Sequence, residues 1–177
     1  MVACGDADGA VTGNTRRFGA SLDKIKQVVS ERNGEIMFGL NMVVHKGKTI
    51  FVADTTVHEY PSSEQMAEIA ISTARVVRLF GFDPKVAFVS HSTFGQPLTS
   101  RTKHIRKAVD ILKEKKVDFE FDGDMQPDVA LNKEYKNLYP FSNIVGNANI
   151  LIMPGQHSAA ISYKMMKELG DTKVIGP

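Results

Sequence analysis

Cysteine is nearly absent from this sequence of 177 residues, in which Cys4 is the single example. One thiol cannot form a disulfide within the chain, and a thiolate metal centre needs several cysteines. A chain without a disulfide framework is typical of a reducing compartment, so the sequence predicts a cytoplasmic protein. Long apolar runs are absent as well, because no stretch approaches the roughly 18 residues that a membrane span requires. The N-terminus also lacks the pattern of a signal peptide, and we expect no membrane partner.

An excess of charge of either sign is missing too. Lys plus Arg number 22 and Asp plus Glu number 20, which leaves a formal net charge of +2. Proteins devoted to nucleic-acid binding carry a stronger positive field, so we expect no nucleic-acid partner. The composition, 42% hydrophobic and 24% charged, is ordinary for a globular domain. A domain of this length buries about 70% of its unfolded surface and can therefore form a stable core without disulfide bonds or bound metals.

Segments with helical periodicity alternate with β-rich segments along most of the chain. Helices are predicted over residues 21–31, 62–80, 100–115, 128–136 and 158–169, and strands over residues 36–44, 49–53, 85–90, 117–121, 149–153 and 173–176. This alternation predicts a three-layer α/β/α domain with a mostly parallel sheet. The first two strand segments flank a short loop with Gly47, which predicts a β-hairpin as an antiparallel edge.

Both ends of the sequence have strand character. Residues 1–4 and 10–13 are expected to form short strands, and residues 173–176 begin another. We therefore expect the chain to be a piece of a longer protein.

The best-defined helix has a clear start and a clear stop. Ser62 and Gln65 stand at the spacing of a capping box, and Pro61 precedes them. Gly81 is placed to end the helix. We therefore expect a helix that begins directly after Ser62.

Polar loops follow several of the predicted strands. They comprise residues 12–15, 90–95, 122–126 and 156–158. Because open parallel sheets bind ligands outside the carboxyl ends of their strands, these loops are expected to line one cleft. Hydroxyl groups and backbone N–H groups at helix starts suit a phosphate or a carbonyl oxygen. The alternative is that these residues only cap helices.

Acidic and imidazole groups in these loops allow other chemistries. Asp122, Asp124 and Asp128 could form a metal or acid–base cluster, since close carboxylates repel unless a cation or proton intervenes. The first two also suit a turn and the third suits the first turn of a helix, so we predict no metal site. His91 and His157 are candidate bases because histidine titrates near neutrality, but loop histidines are more often structural or solvated.

Positive charge concentrates on one predicted helix, at Arg101, Lys103, His104, Arg106 and Lys107. This helix could receive the phosphates of a ligand such as coenzyme A, or it could simply have a solvated face. The usual glycine-rich phosphate motifs, the P-loop and G-x-G-x-x-G, are absent from the sequence.

Six segments occur in the order and spacing of the phosphate acetyl/butyryltransferase family, which the sequence resembles over essentially its whole length. They are Asp54, Pro61-Ser62-Ser63-Glu64-Gln65-Met66-Ala67-Glu68-Ile69-Ala70, Ser90-His91-Ser92-Thr93-Phe94-Gly95, Asp122-Gly123-Asp124-Met125-Gln126, Asn147-Ala148-Asn149 and Ile175-Gly176-Pro177. The closer resemblance is to the C-terminal phosphotransacetylase-like domain of bacterial NADP-dependent malic enzymes. Residues 5–9 and 153–162 look like that branch, whereas Gly155 and Ala160 depart from the Pro-Asp-Leu-Asn and Asn-Ile-Ala-Tyr patterns of stand-alone transferases.

The resemblance implies a doubly wound architecture, an acetyl-CoA cleft and a homodimer. Residues 1–177 would form a single α/β domain, a fragment that is mainly the second subdomain of a larger phosphotransacetylase-like region. Candidate contacts to acetyl-CoA are Asn14, Thr15, Ser90, Ser92, Thr93, Asp124, Gln126 and His157. No catalytic residue is assigned, because Asp23 stands where active transferases carry an arginine, and their substrate-binding Ser-Arg segment falls beyond Pro177.

The resemblance therefore leads to an expectation about a larger enzyme. The parent would convert malate to pyruvate by oxidative decarboxylation, with NADP and Mg²⁺ or Mn²⁺ held by an N-terminal malic-enzyme domain. This chain would be non-catalytic, sensing acetyl-CoA as an effector and assembling the oligomer. The alternatives are a fragment of an active phosphate acetyltransferase, which makes acetyl phosphate and CoA, and a purely structural dimerisation module.

Overall fold

A computed structural model describes residues 1–12, 15–31 and 34–176. They form two compact units, Met1–Ile36 and Met37–Pro177. The first unit contains a single 3-10 turn, Val2–Cys4, and helix α1, Phe18–Lys26. The prediction of a strand at residues 1–4 is wrong, because Gly5, with φ 78°, closes a turn there. Residues 10–12 adopt no regular structure, and the last residue of that predicted strand lies outside the described ones.

The second unit contains the sheet and the remaining helices. Its elements are β1 Leu40–His45, β2 Lys48–Ala53, α2 Ser63–Leu79, β3 Lys85–Val89, α3 Ser100–Lys115, β4 Glu120–Met125, α4 Pro127–Leu131, α5 Lys133–Lys136, β5 Ile150–Ile152, α6 Gln156–Leu169 and β6 Thr172–Ile175. Among the described residues these strands form one six-stranded sheet in the order β4-β3-β5-β2-β1-β6. β4, β3, β5 and β2 are parallel, whereas β1 is antiparallel to both β2 and β6. The predicted α/β class with a mostly parallel sheet is confirmed, and β6 pairs with the outer side of the hairpin.

Alternating side chains of the central strands build two layers of core. Val52, Ala87 and Leu151 face one side, where they join a buried cluster that includes Ala130 of α4 and Ala159 of α6. Their strand neighbours point to the other side, on which α2 packs against β2, β3 and β5. There the ring of Phe51 contacts the rings of Phe80 and Phe82 at centroid distances of 5.9 and 5.6 Å. The sheet is therefore covered by helices on both faces.

The helix boundaries follow the capping signals closely. The Ser62 side chain accepts a hydrogen bond from Gln65 N at 3.1 Å, and the Gln65 side chain accepts one from Ser62 N at 2.7 Å, so the predicted capping box is confirmed. Thr99 and Thr102 form the equivalent box before α3, whose bounds are those predicted. No helix in the described part of the chain has both the length and the apolar character needed to cross a membrane.

Strand β4 begins and ends later than the sequence predicts. Its later end brings carboxylates into the strand. The prediction ended the strand at residue 121 and placed the aspartates in a loop, whereas the strand continues to Met125. Asp122 is buried, and its oxygens accept hydrogen bonds from Gly123 N at 2.9 Å and Asn143 N at 2.7 Å. A buried carboxylate is tolerated when backbone N–H groups satisfy it. The strand therefore brings two aspartates into the sheet.

The packed pair α2 and α3 is linked on its exposed side by Glu64 and Lys107. Lys107 Nζ lies 2.7 Å from Glu64 Oε1, and this hydrogen bond, with the backbone at the start of α2, lowers the pKa of Glu64 from 4.5 to about 2. Since the folded pKa is depressed, the contact is present at neutral pH and is lost as the pH falls towards about 2. We expect Lys107→Met to move the Glu64 pKa back towards 4.5 in a carbon-detected NMR titration. Lys113→Met is the control, and a Glu64 pKa that Lys107→Met leaves unchanged would contradict the assignment.

Candidate functional site

The loops that follow β2, β3, β4 and β5 meet at the carboxyl edge of the parallel strands. They are joined by backbone hydrogen bonds: Ser90 N donates to Met125 O at 2.9 Å, and Met153 N donates to Ala53 O at 2.7 Å. Gln156 N at the start of α6 donates to His58 O at 3.0 Å. The edge is therefore one connected surface, at the place where open parallel sheets bind ligands.

Ser90, Ser92 and Asp124 form a buried chain of hydrogen bonds within this edge. The Ser92 hydroxyl donates to Asp124 Oδ2 in a short hydrogen bond, and Gly95 N donates to Asp124 Oδ1 at 3.0 Å. Ser90 Oγ lies 3.2 Å from Ser92 Oγ. Ser92 and Asp124 are both 0% exposed. These predicted ligand contacts consequently hold the loop after β3 against β4, and their contact with a ligand stays a prediction.

Thr93 and Gln126 connect the same loop to the end of β4. Gln126 N donates to Thr93 Oγ1 at 3.3 Å, and Gln126 Nε2 donates to the carbonyl oxygen of His91 at 2.9 Å. Thr93 is buried, whereas Gln126 is half-buried. Within the described residues the amide oxygen of Gln126 accepts no hydrogen bond, so this side chain has an acceptor for a ligand.

The other predicted contacts lie in different surroundings. His157 Nε2 lies 3.2 Å from Glu59 Oε1. Because these side chains are 74% and 61% exposed, their interaction contributes little to stability. Thr15 is exposed and belongs to the first unit. Asn14 lies outside the described residues. The structure thus joins five of the predicted contacts, in the loop after β3 and at the end of β4, and places His157 beside the loop after β2.

A buried carboxylate that the sequence analysis did not single out as a site organises the loop after β2. Asp54 Oδ1 accepts hydrogen bonds from Gly39 N at 2.8 Å, Thr56 N at 2.9 Å and Val57 N at 3.1 Å. Its Oδ2 accepts from His58 N at 2.8 Å and lies 2.7 Å from His58 Nδ1. An aspartate often accepts hydrogen bonds from backbone N–H groups a few residues further on, but its long-range donor, Gly39 N, has no sequence signal. Asp54 therefore fixes the part of the edge that contacts α6.

The positively charged helix contributes Arg101 to a groove at the same edge. The groove, about 600 Å³ in volume, lies between the starts of α2 and α3 and is lined by Tyr60, Pro61, Ser62, Ser100, Arg101 and His104. The guanidinium of Arg101 lies 4.8 Å from the centroid of the Tyr60 ring. His104 Nε2 lies 2.9 Å from Pro61 O and its Nδ1 lies 3.1 Å from Ser63 Oγ, so its ring is fixed on both sides. Since no described residue forms an ion pair with Arg101, this charge is open to an anion.

The aspartates considered as a metal cluster have other partners. Asp122 and Asp124 accept backbone hydrogen bonds, and Asp128 Oδ1 accepts one from Val129 N at 2.9 Å. In the part of the chain that the structure describes, no three His, Cys, Asp or Glu side chains are grouped so as to hold a metal ion.

Comparison with known proteins relates the chain to one family. The family model described as "Phosphate acetyl/butaryl transferase" matches residues 1–177. An NADP-dependent malic enzyme of Rhizobium meliloti is 46% identical over 100% of this chain, which spans 23% of that protein. A phosphate acetyltransferase of Clostridium acetobutylicum is 34% identical over 98% of the chain, which spans 55% of it. The solved phosphotransacetylase of Streptococcus pyogenes superposes with a TM-score of 0.93 at 29% identity, over 99% of this chain and 55% of that one.

Proposed function

Because this chain belongs to the phosphate acetyl/butaryl transferase family, we propose that it is the acetyl-CoA-sensing C-terminal domain of an NADP-dependent malic enzyme. The complete protein converts malate to pyruvate by oxidative decarboxylation, with NADP and Mg²⁺ or Mn²⁺ bound by an N-terminal malic-enzyme domain. This domain itself transfers no acetyl group. Its greater identity to a malic enzyme than to a stand-alone transferase supports the assignment.

The observation that carries the proposal is the internal pairing of Ser92 with Asp124. A group that takes a proton from a thiol must come within hydrogen-bond reach of the reacting atom. Here the hydroxyl and the carboxylate are fully buried and bonded to each other. They support a loop rather than present a base, which favours binding over acetyl transfer.

The accessible groups of the edge fit the parts of acetyl-CoA. The free amide oxygen of Gln126 suits an N–H group of the pantetheine arm. Arg101, held over the Tyr60 ring, suits a phosphate, because a guanidinium donates to phosphate oxygens in a fixed fork. The groove beside it, about 600 Å³ in volume, is large enough for such a group.

Sensing requires that acetyl-CoA binds one state of the complete enzyme better than another. A ligand of equal affinity for both states shifts nothing, however tightly it binds. The loops after β2 and β5 suit this role, because Gln156 N and His58 O join them directly. This hydrogen bond links the edge to the first residue of α6.

Assembly into a homo-oligomer is the second part of the proposal. Large apolar side chains are exposed in one segment after α4: Tyr135 is 48%, Leu138 71%, Phe141 64% and Val145 71% exposed. Phe141 packs edge-on against Phe94, with a centroid distance of 4.8 Å. Clustered exposed apolar side chains are typical of protein interfaces. This segment is the proposed contact with a second copy.

A fragment of an active phosphate acetyltransferase is the second candidate function. It is favoured by the close superposition of this chain on 55% of a solved phosphotransacetylase, with a TM-score of 0.93. It predicts that the full-length protein forms acetyl phosphate from acetyl-CoA and phosphate.

We expect Gln126→Ala to weaken acetyl-CoA binding by the full-length protein about tenfold, because one hydrogen-bonding side chain is lost. Titration calorimetry measures the affinity, and NADP reduction with malate, with and without acetyl-CoA, measures the response. Gln27→Ala is the matched control and is expected to change neither. A protein that neither binds nor responds to acetyl-CoA contradicts the sensing role, and formation of acetyl phosphate supports the second candidate.

A further inference from the structure

A second cavity lies away from the candidate site, at the amino ends of the parallel strands. It has a volume of about 870 Å³ and extends from the turn of the β1–β2 hairpin to the C-terminal half of α6. Pockets that hold small molecules are typically about 300–1,000 Å³. A ligand there would not compete for the loops at the carboxyl edge.

The wall of this cavity is mainly apolar. Its apolar lining residues are Val43, Ile50, Leu131, Ala148, Met165, Met166 and Leu169. Met165 is 54% and Leu169 84% exposed, so the helix α6 presents large apolar side chains at the rim. Methionine side chains are flexible and polarisable and adapt to ligands of different shape. The interior therefore suits an aliphatic chain or a ring system.

Seven lining residues are polar, and among the described residues only Lys48 brings an unpaired charge: His45, Lys48, Thr49, Asn147, Asn149, Ser162 and Thr172. Asn149 is engaged at both ends of its amide, because its Nδ2 donates to Asp83 O at 2.7 Å and its Oδ1 accepts from Lys85 N at 2.8 Å. His45 Nδ1 lies 2.9 Å from Thr172 Oγ1. Lys48, exposed at the start of β2, forms no ion pair with any residue that the structure describes. Its ammonium group is therefore free to meet an anion.

Acidic residues are missing from the described lining. Glu168 and Asp171 are neighbours in sequence of the lining residues Leu169 and Gly170, but neither lines the cavity. An apolar cavity with one cation at its rim is complementary to a molecule that joins an apolar body to one anionic group. A neutral apolar molecule would form no ion pair with this ammonium group.

We propose that this cavity binds an apolar monocarboxylate, with the hydrocarbon part against α6 and the carboxylate at Lys48. Decanoate is the probe, and decanol, which has the same chain without the charge, is its comparison. Titration calorimetry of the full-length protein is expected to give saturable binding of decanoate that is about two- to fivefold tighter than that of decanol, because Lys48 is exposed.

Substitutions at two exposed positions test the contribution of the charge and that of the apolar wall separately. Lys48→Met keeps an extended side chain but removes the charge, so it is expected to weaken decanoate about two- to fivefold and leave decanol unchanged. Met165→Glu places a carboxylate in the wall and is expected to weaken both ligands. Lys103→Met, the same substitution on α3, is the control and is expected to alter neither. Circular dichroism confirms that each variant is folded.

Three results overturn the proposal. The first is the absence of saturable decanoate binding, and the second is binding that both lining variants leave unchanged. The third is sedimentation that shows a dimer which Met165→Glu dissociates while decanoate does not bind. In that case the cavity is a contact between two copies of the chain.

Discussion

Replacing Asp54 with alanine is expected to lower the free energy of unfolding by about 4 kcal/mol. The carboxylate is fully buried, and the substitution leaves the N–H groups of Gly39, Thr56, Val57 and His58 without their acceptor. Each buried donor that loses its partner costs about 1–3 kcal/mol, although relaxation of the loop lets water reach some of them. Urea unfolding of the full-length protein, followed by far-ultraviolet circular dichroism, measures the loss.

Asp54→Asn tests whether the charge or only the acceptor matters. The amide keeps one oxygen for Gly39, Thr56 and Val57, but it places an NH₂ group against His58 N. We expect a loss of roughly half that of the alanine variant. Asp110→Ala is the control, because Asp110 pairs with Lys113 on the exposed face of α3 and such pairs contribute about 0–1 kcal/mol. Equal losses for Asp54→Ala and Asp110→Ala would refute the organising role of Asp54.

Local signals explain which elements the sequence could predict. Helix α3 has the predicted bounds, and α2 begins after the predicted cap, because capping boxes join residues only three positions apart. The alternation of helices and strands was enough for the α/β class. The prediction of a strand at residues 1–4 is wrong because a strand needs a neighbouring strand to pair with, which apolar residues alone do not supply.

Long-range pairing explains what the sequence could not predict. β6 pairs with β1 through residues such as Val43 and Val174, which are far apart in the chain, and so the hairpin is not the outermost part of the sheet. β4 was placed too early because its aspartates were interpreted as loop residues. They lie in the strand since backbone N–H groups from other segments satisfy them.

The candidate site also has a part that the sequence could predict, its location, and a part that it could not, its internal contacts. Its location at the carboxyl edge follows from the mostly parallel sheet, which the alternation of helices and strands predicts. That Ser92 donates to Asp124 is a contact across 32 positions, and no spacing rule separates a hydroxyl facing a ligand from one that bonds inside the fold. The cavity at the opposite edge combines residues from β1, β2, α4 and α6, so no single segment indicates it.

Gly155→Ala is expected to disturb the junction between the loop after β2 and α6. A Cβ atom at this position would lie 2.2 Å from the carbonyl oxygen of Glu59 and 3.3 Å from its carbonyl carbon. The backbone of Gly155 is extended, with φ 161°, so the cost comes from the steric clash alone. Because Gln156 N bonds to His58 O at 3.0 Å, the loop cannot move aside without breaking that bond.

We expect Gly155→Ala to lower the free energy of unfolding by about 2–3 kcal/mol and to weaken acetyl-CoA binding to the full-length protein. Gly19→Ala is the matched control, since a Cβ there meets nothing within 4 Å and alanine favours the helix α1. Urea unfolding and calorimetric titration measure the two effects. Unfolding free energies that match between these two variants would show that the loop yields freely to the new methyl group.

Gly155 also marks a difference between the two branches of the family that the sequence analysis compares, the malic-enzyme domains and the stand-alone transferases. The resemblance implies an aspartate here in stand-alone transferases, and that side chain is larger than the methyl group that already clashes with Glu59 O. Gly155→Asp is therefore expected to destabilise the protein more than Gly155→Ala. The close approach of the loop after β2 to α6 is thus a feature that the glycine permits, and it places His157 beside Glu59 at the edge proposed to bind acetyl-CoA.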